Sequence, residues 1–167
     1  GVYLAPEDNK KKRQPLTDEQ IQALQQNCYQ TDDDLRWLVA LISDTGMRLA
    51  EAAGLKTSDI HLDDDHPYID LKPYPHRRLK TKASTRVIPL VGASLWAAER
   101  LVESNQGEFC FPRYTNHETC NSNSASAAIN KWIKAIAGMD AVIHGLRHSL
   151  RDRLREVEAP TEVIDQL

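Results

Sequence analysis

The chain has 167 residues, 41% of them hydrophobic and 27% charged, which suits one domain around one core and leaves no room for two full ones. A mean hydropathy of -0.53, with no apolar run near the roughly 20 residues of a membrane span, argues against a membrane protein and against a membrane partner. A net charge of -3 and a pI near 6.1 argue against a protein that coats nucleic acid through overall positive field, because that mode needs many cations to displace condensed counterions. Three cysteines, Cys28, Cys110 and Cys120, are too sparse for a disulfide framework, and no secretory leader opens the chain, so a cytoplasmic setting is expected.

Residues 1–15 carry two prolines and the basic run from Lys10 to Arg13 without periodicity, and read as a linker or tail; the domain is expected over 16–167. Thr17 with Gln20 forms a capping-box pattern, and Leu16 can staple onto Ile21, with Leu24 and Cys28 continuing that helical face. A second helix is predicted from about Asp33, with Leu35, Leu38, Val39 and Ile42 in helical register, ending at Thr45-Gly46. A short helix from Arg48 to Ala53 follows and stops at Gly54. Residues 55–62, 68–71 and 85–90 then read as short extended segments around a turn at Asp63, Asp64 and Asp65, which gives a small antiparallel sheet. Helical spacing returns at Leu95, Ala98, Leu101 and Val102, at Ile129, Trp132, Ile133 and Ile136, and at Leu146, Leu150, Leu154 and Val157. Residues 106–123 read as a polar loop, and a last helix is predicted from Pro160 onward. Trp37, Trp96 and Trp132 sit at core-type positions. The predicted fold class is mostly α with a small antiparallel β-sheet.

Charge is unevenly distributed along this sequence. No Asp or Glu occurs over residues 71–98, where Lys72, Arg77, Arg78, Lys80, Lys82 and Arg86 all fall, while His144, Arg147, His148, Arg151, Arg153 and Arg155 form a second basic cluster. Local basic surfaces on an acidic body suit a phosphate binder directed to one site. Three segments fall in these regions or before them: TGMRLAEAAGL at 45–55, LKTKASTRVIPL at 79–90 and HGLRH at 144–148. Each alone has an ordinary explanation. Arg48 can pair with Glu51 on its own helix, a Lys-Thr-Lys tip can guard a strand edge, and a His and an Arg three apart can simply decorate one helix face.

Taken in order and at these separations, the three segments resemble the catalytic domain of the tyrosine recombinase, or phage integrase, family, and the resemblance covers about residues 16–167. That family shows a Thr-Gly-x-Arg-x-x-Glu stretch, a hairpin Lys before an Arg-x-Ile-Pro-Leu strand, and a His-x-Leu-Arg-His helix. The resemblance implies the integrase catalytic-domain fold and site-specific DNA recombination through a 3'-phosphotyrosyl intermediate. By the same resemblance Arg48 and Arg147 grip the non-bridging oxygens of the scissile phosphate, His144 hydrogen-bonds it or moves a proton, and Lys80 protonates the departing 5' oxygen. Lys82, two residues further along the same hairpin, is the rival for that last role. Glu51 would orient Arg48. Paired guanidinium forks suit this chemistry because charge grows on two oxygens at once.

Lys72, Arg77, Arg78, Lys82, Arg86 and Arg151 are the expected DNA contacts, double-stranded DNA is the expected partner, and the resemblance implies a homo-oligomer, a tetramer on DNA, for the full-length protein. A bacterial or phage source is implied as well. The family's nucleophilic tyrosine lies well beyond the His-x-x-Arg arginine, whereas Tyr3, Tyr29, Tyr68, Tyr74 and Tyr114 all precede Arg147, so the domain is expected to be incomplete at its C-terminus. No cofactor or metal is expected: Cys110, His117 and Cys120 could approach a zinc ion, but a structural site needs four ligands at tight spacing. A relative that only binds DNA, and a type IB topoisomerase with a similar site, are the alternatives.

Overall fold

Six helices and one three-stranded sheet make up the computed structural model, which describes residues 15–104, 107–138 and 140–156, with side chains as far as residue 150. Helix α1, Asp18–Thr31, starts where the capping box predicts: the Thr17 hydroxyl accepts from the Gln20 amide at 3.2 Å, and the Gln20 side chain accepts from the Thr17 amide at 2.8 Å. Leu16 and Ile21 are both buried beside this cap. Helix α2, Asp34–Thr45, is capped by Asp33 and closed by Gly46 at φ 70°, a left-handed conformation that glycine adopts without a Cβ conflict. Leu38, Val39, Ala40, Leu41 and Ile42 are all buried on consecutive positions, so α2 is covered on every side and forms the centre of the core.

Around α2 lie α1, the five-residue α3 (Leu49–Ala53), α4 (Gly92–Glu103), α5 (Ser122–Ala137) and α6 (His144–Glu156), with α4 making the most extensive contact. The sheet joins β1 (Ile60–His61), β2 (Tyr68–Leu71) and β3 (Arg86–Pro89) antiparallel in that order. Ile69 pairs with Ile60 on one side and Ile88 on the other, which lines the inner face with branched apolar side chains. Residues 72–85 connect β2 to β3.

Two contacts tie the start of the domain to its far end. The Ser149 hydroxyl, buried on α6, accepts from the Leu16 amide at 2.7 Å, and the Gln20 side-chain amide donates to the Ala137 carbonyl at 2.7 Å. The position of α6 is therefore set partly by residues 130 or so earlier in sequence.

Three expectations need correction. Residues 55–62 are not one extended run: Lys56 forms an isolated bridge to Phe109, and residues 57–59 make a 3-10 turn because the Asp59 carboxylate accepts from the Lys56 amide at 3.0 Å. Residues 106–123 are not a polar excursion, since Phe111 is fully buried and Thr115 donates to the Ala53 carbonyl at 2.7 Å, which pins this segment on the end of α3. Trp37, Trp96 and Trp132 are half-buried rather than core-central: the Trp37 indole donates to Asp32, Trp96 meets Tyr29 edge-on, and Arg36 lies over Trp132. The tail, apart from Pro15, the predicted helix from Pro160, and the side chains of Arg151, Arg153 and Arg155 lie outside the described residues.

Candidate active site

Arg48 caps α3, directly after the turn that Gly46 makes at the end of α2. Its backbone amide donates to Glu51 Oε1 at 2.8 Å, while its guanidinium Nη1 lies 3.5 Å from Glu51 Oε2. Arg86, arriving on β3, meets the same carboxylate in a fork: Nη2 to Oε1 and Nη1 to Oε2, each at 3.1 Å, with Nη1 also donating to the Ser84 carbonyl at 2.7 Å. Side-chain exposure separates the members, at 32% for Arg48, 6% for Arg86 and 4% for Glu51. Burial pushes the Glu51 carboxyl up, but the hydrogen bonds from Arg86 and from the Arg48 amide, with the charges of both arginines, outweigh it and hold the group below its ordinary range. Glu51 is thus an ionised, buried anchor, and Arg48 is the exposed member of a charge cluster with one positive charge in excess.

His144 and Arg147 lie on the first turns of α6, which packs against α2. Leu146 and Ser149 turn inward, whereas His144 and His148 are exposed and Arg147 is half-buried between them. The two imidazole rings meet edge-on at 4.7 Å. The N-terminal end of α6 borders an open cleft of about 430 Å³ lined by Ser126, Asn130, Val142, His144 and His148. At its base the Asn130 side chain accepts from the Ile143 amide at 2.8 Å, which fixes where α6 begins. A helix N-terminus carrying His and Arg is electrostatically suited to an anion.

The basic stretch on residues 72–86 divides into a held part and an exposed part. Tyr74 and Arg77 exchange backbone hydrogen bonds across Pro75-His76, which closes a tight turn. The Tyr74 hydroxyl donates to Asp59, and Lys72 Nζ lies 3.2 Å from the same fully buried carboxylate. Burial first, then the bond to Asp59, pushes the Tyr74 hydroxyl up to about 12. His76 lies 2.9 Å from the Gly54 carbonyl, and Arg77 crosses Gly54 so closely that a Cβ there would sit 2.7 Å from Arg77 Cγ. Arg78, Lys80 and Lys82 are exposed, with no carboxylate paired to any of them among the described residues.

Arg77 and Arg86, both expected at the DNA surface, are corrected by these positions. Arg77 is buried with its guanidinium on the Lys72 carbonyl at 3.1 Å, and Arg86 is committed to Glu51. Lys72 is half-exposed and bound to Asp59 and Asp70, so its charge is largely engaged inside the protein. The sequence reading missed Asp59 and Tyr74, whose partners lie 15 residues apart with no local pattern to join them. Cys110 is buried and His117 pairs with Glu108 at 2.9 Å; among the described residues no cluster of His, Cys, Asp and Glu is arranged to hold a metal ion, and no helix is long and apolar enough to cross a membrane.

No curated protein matches this sequence. Among solved structures, the Tn1549 transposon integrase in complex with transposon right end DNA superposes with a TM-score of 0.66 over 92% of this chain, at 16% identity. The XerH site-specific recombinase bound to its difH substrate gives 0.66 over 91% at 19% identity. The chain spans 57% of the first and 46% of the second, and at such identities the likeness establishes the fold. The sequence profile of the phage integrase family matches residues 14–167. On that match and this fold, the chain belongs to the phage integrase family.

Proposed function

We propose that this chain is the catalytic domain, on residues 16–167, of a site-specific recombinase that acts on double-stranded DNA by phosphoryl transfer through a tyrosine. The observation that carries this reading is the Arg48–Glu51–Arg86 cluster, which presents one guanidinium at the surface on a buried anionic anchor, on a chain whose family acts at DNA phosphates. Arg48 and Arg147 each contribute hydrogen bonds to the non-bridging oxygens, His144 supplies a further donor, and the exposed ammonium of Lys80 is suited to reach an oxygen that leaves. Arg78, Lys82 and Arg151 extend the contact along the phosphate backbone. DNA-bound neighbours of the same fold support duplex DNA as the partner.

In the proposed step a tyrosine hydroxyl gives its proton to His144 or to water and attacks phosphorus in line, the bond from phosphorus to the 5' oxygen breaks, and Lys80 gives that oxygen a proton. Reversal by an incoming 5' hydroxyl restores a phosphodiester, so the reaction consumes neither nucleotide nor metal. Three of the five tyrosines of this chain are poorly suited to the attack: Tyr74 is committed to Asp59, Tyr114 is buried, and Tyr68 stacks on His61, while Tyr29 is exposed and Tyr3 lies outside the described residues. Because the family's nucleophile follows the His-x-x-Arg motif and all five tyrosines precede Arg147, we assign the attacking hydroxyl to a residue outside this sequence. The whole protein is expected to act as a homo-oligomer, a tetramer on DNA, in the cytoplasm of a bacterial or phage-infected cell.

The test is a nicked suicide duplex incubated with this chain and with the same chain extended at its C-terminus by native residues. The expected result is a covalent protein-DNA adduct on the extended chain alone. An adduct on the short chain would place the nucleophile among its own tyrosines and overturn the assignment. No adduct on a folded extended chain would favour a protein that binds DNA without cutting it.

A further inference from the structure

Arg86 is a strongly basic residue in a family that handles phosphate, yet only 6% of its side chain is exposed. It cannot reach a duplex without leaving the core. What it does reach is both oxygens of Glu51, in a fork at 3.1 Å on each arm, while Arg48 approaches the same carboxylate at 3.5 Å through a single Nη. A charge-assisted N–H to carboxylate bond has an ordinary length of about 2.7–2.9 Å, so the Arg48 contact is the loose one of the pair. Glu51 carries one negative charge and faces two guanidiniums. If Arg48 alone held it, the two would neutralise each other and a phosphate would meet a dipole rather than a cation.

Building on the proposed phosphate role of Arg48, we infer that Arg86 is a positioning residue that keeps Arg48 available to phosphate by occupying Glu51. The fork fixes where Glu51 sits, the Arg48 amide bond to Oε1 fixes the start of α3, and the Arg48 guanidinium is left oriented but under-neutralised. Because Arg86 is on β3, directly after the connection that carries Lys80, this one carboxylate also joins the segment bearing the proposed proton donor to the segment bearing Arg48. The sequence separation of 35 residues hides this link.

The experiment measures binding of a short fluorescein-labelled duplex at low salt by the chain itself and by R48A, R86M and R86M/E51Q, each checked for native circular dichroism. R48A is expected to weaken binding about tenfold, the scale of one charge-assisted phosphate contact. R86M is expected to weaken it about fivefold although Arg86 touches no DNA, because Glu51 then turns to Arg48. Adding E51Q to R86M should recover most of that loss, whereas a merely structural role for Arg86 would leave the double variant as weak as R86M or weaker. R86M binding as tightly as the parent, or no recovery in the double variant, overturns the inference. R48A binding as tightly as the parent overturns instead the reading of Arg48 as a phosphate ligand. Should R86M not fold, R86K takes its place: an ammonium cannot span two carboxylate oxygens, so affinity between those of the parent and R48A is expected, and parental affinity would overturn the inference.

Discussion

The basic residues of the β2–β3 stretch fall into two groups that sequence cannot separate. Lys72, Arg77 and Arg86 are held by Asp59, by the Lys72 carbonyl and by Glu51, and two of the three are nearly inaccessible. Arg78, Lys80 and Lys82, which lie together between Arg77 and Arg86, are exposed. The held group lies at Lys72, just after β2, at the Tyr74–Arg77 turn and on β3, and the exposed group lies on the segment between that turn and β3. The difference teaches that positive charge here has two uses. Held, it neutralises the buried acids Asp59 and Glu51 and fixes the backbone at Lys72, and exposed, it is available to an external anion. A group that must grip a phosphate benefits from a fixed mount such as Glu51 gives Arg48, whereas a group that hands a proton to a moving oxygen benefits from reach.

Substitutions should separate the two groups by size of effect. Glu51→Gln strips the buried partner from Arg86 and should cost about 3–5 kcal/mol, read from denaturant unfolding, since an uncompensated buried charge is left behind. The same pair predicts an acid response. The Glu51 carboxyl lies below its ordinary 4.5 in the folded protein, so its contribution is complete above that value and is lost as pH falls through the lower folded value. The stability gap between the parent and E51Q should therefore narrow on acidification below 4.5, and a gap that widens would contradict the ionised anchor. Asp59→Asn removes the charge bound by Lys72 and turns one of the two carboxylate oxygens, which accept from Tyr74 and from the Lys56 amide, into a donor, with an expected loss of about 1–3 kcal/mol. Tyr74→Phe deletes one hydroxyl donor and should cost about 1 kcal/mol in the same assay. Lys80→Ala should leave the unfolding midpoint unchanged, and a clear drop would show that Lys80 belongs with the held group.

Much of the fold was legible because local rules and tertiary packing agree. The capping box at Thr17, the apolar register of α2 and its closure at Gly46 follow from neighbours within a few residues, and the short extended segments at 68–71 and 85–90 were readable one by one before the fold paired them. The candidate site was legible as an ordered set of motifs, and Arg48 with Glu51 was readable as a pair one helical turn apart. Arg77 and Arg86 were misread because a basic residue looks the same in sequence whether it faces DNA or a distant acid. Their fates depend on Gly54 and Glu51, brought near only by the folded sheet. The segment at 55–62 was misread for a related reason: one side chain, Asp59, captured the Lys56 amide and diverted the backbone from a strand into a turn. Phe111 shows the same limit, since the polar residues around it conceal a buried anchor.

In the proposed reaction Arg48, His144 and Arg147 serve one phosphate. The most direct measurement is a crystal structure of this chain bound to a short duplex carrying its recombination site. The expected result is that both guanidiniums donate to the non-bridging oxygens of a single phosphate, with His144 within hydrogen-bond distance of it and Arg86 still forked on Glu51. Arg48 and Arg147 on separate phosphates, or on opposite faces of the domain, would contradict it.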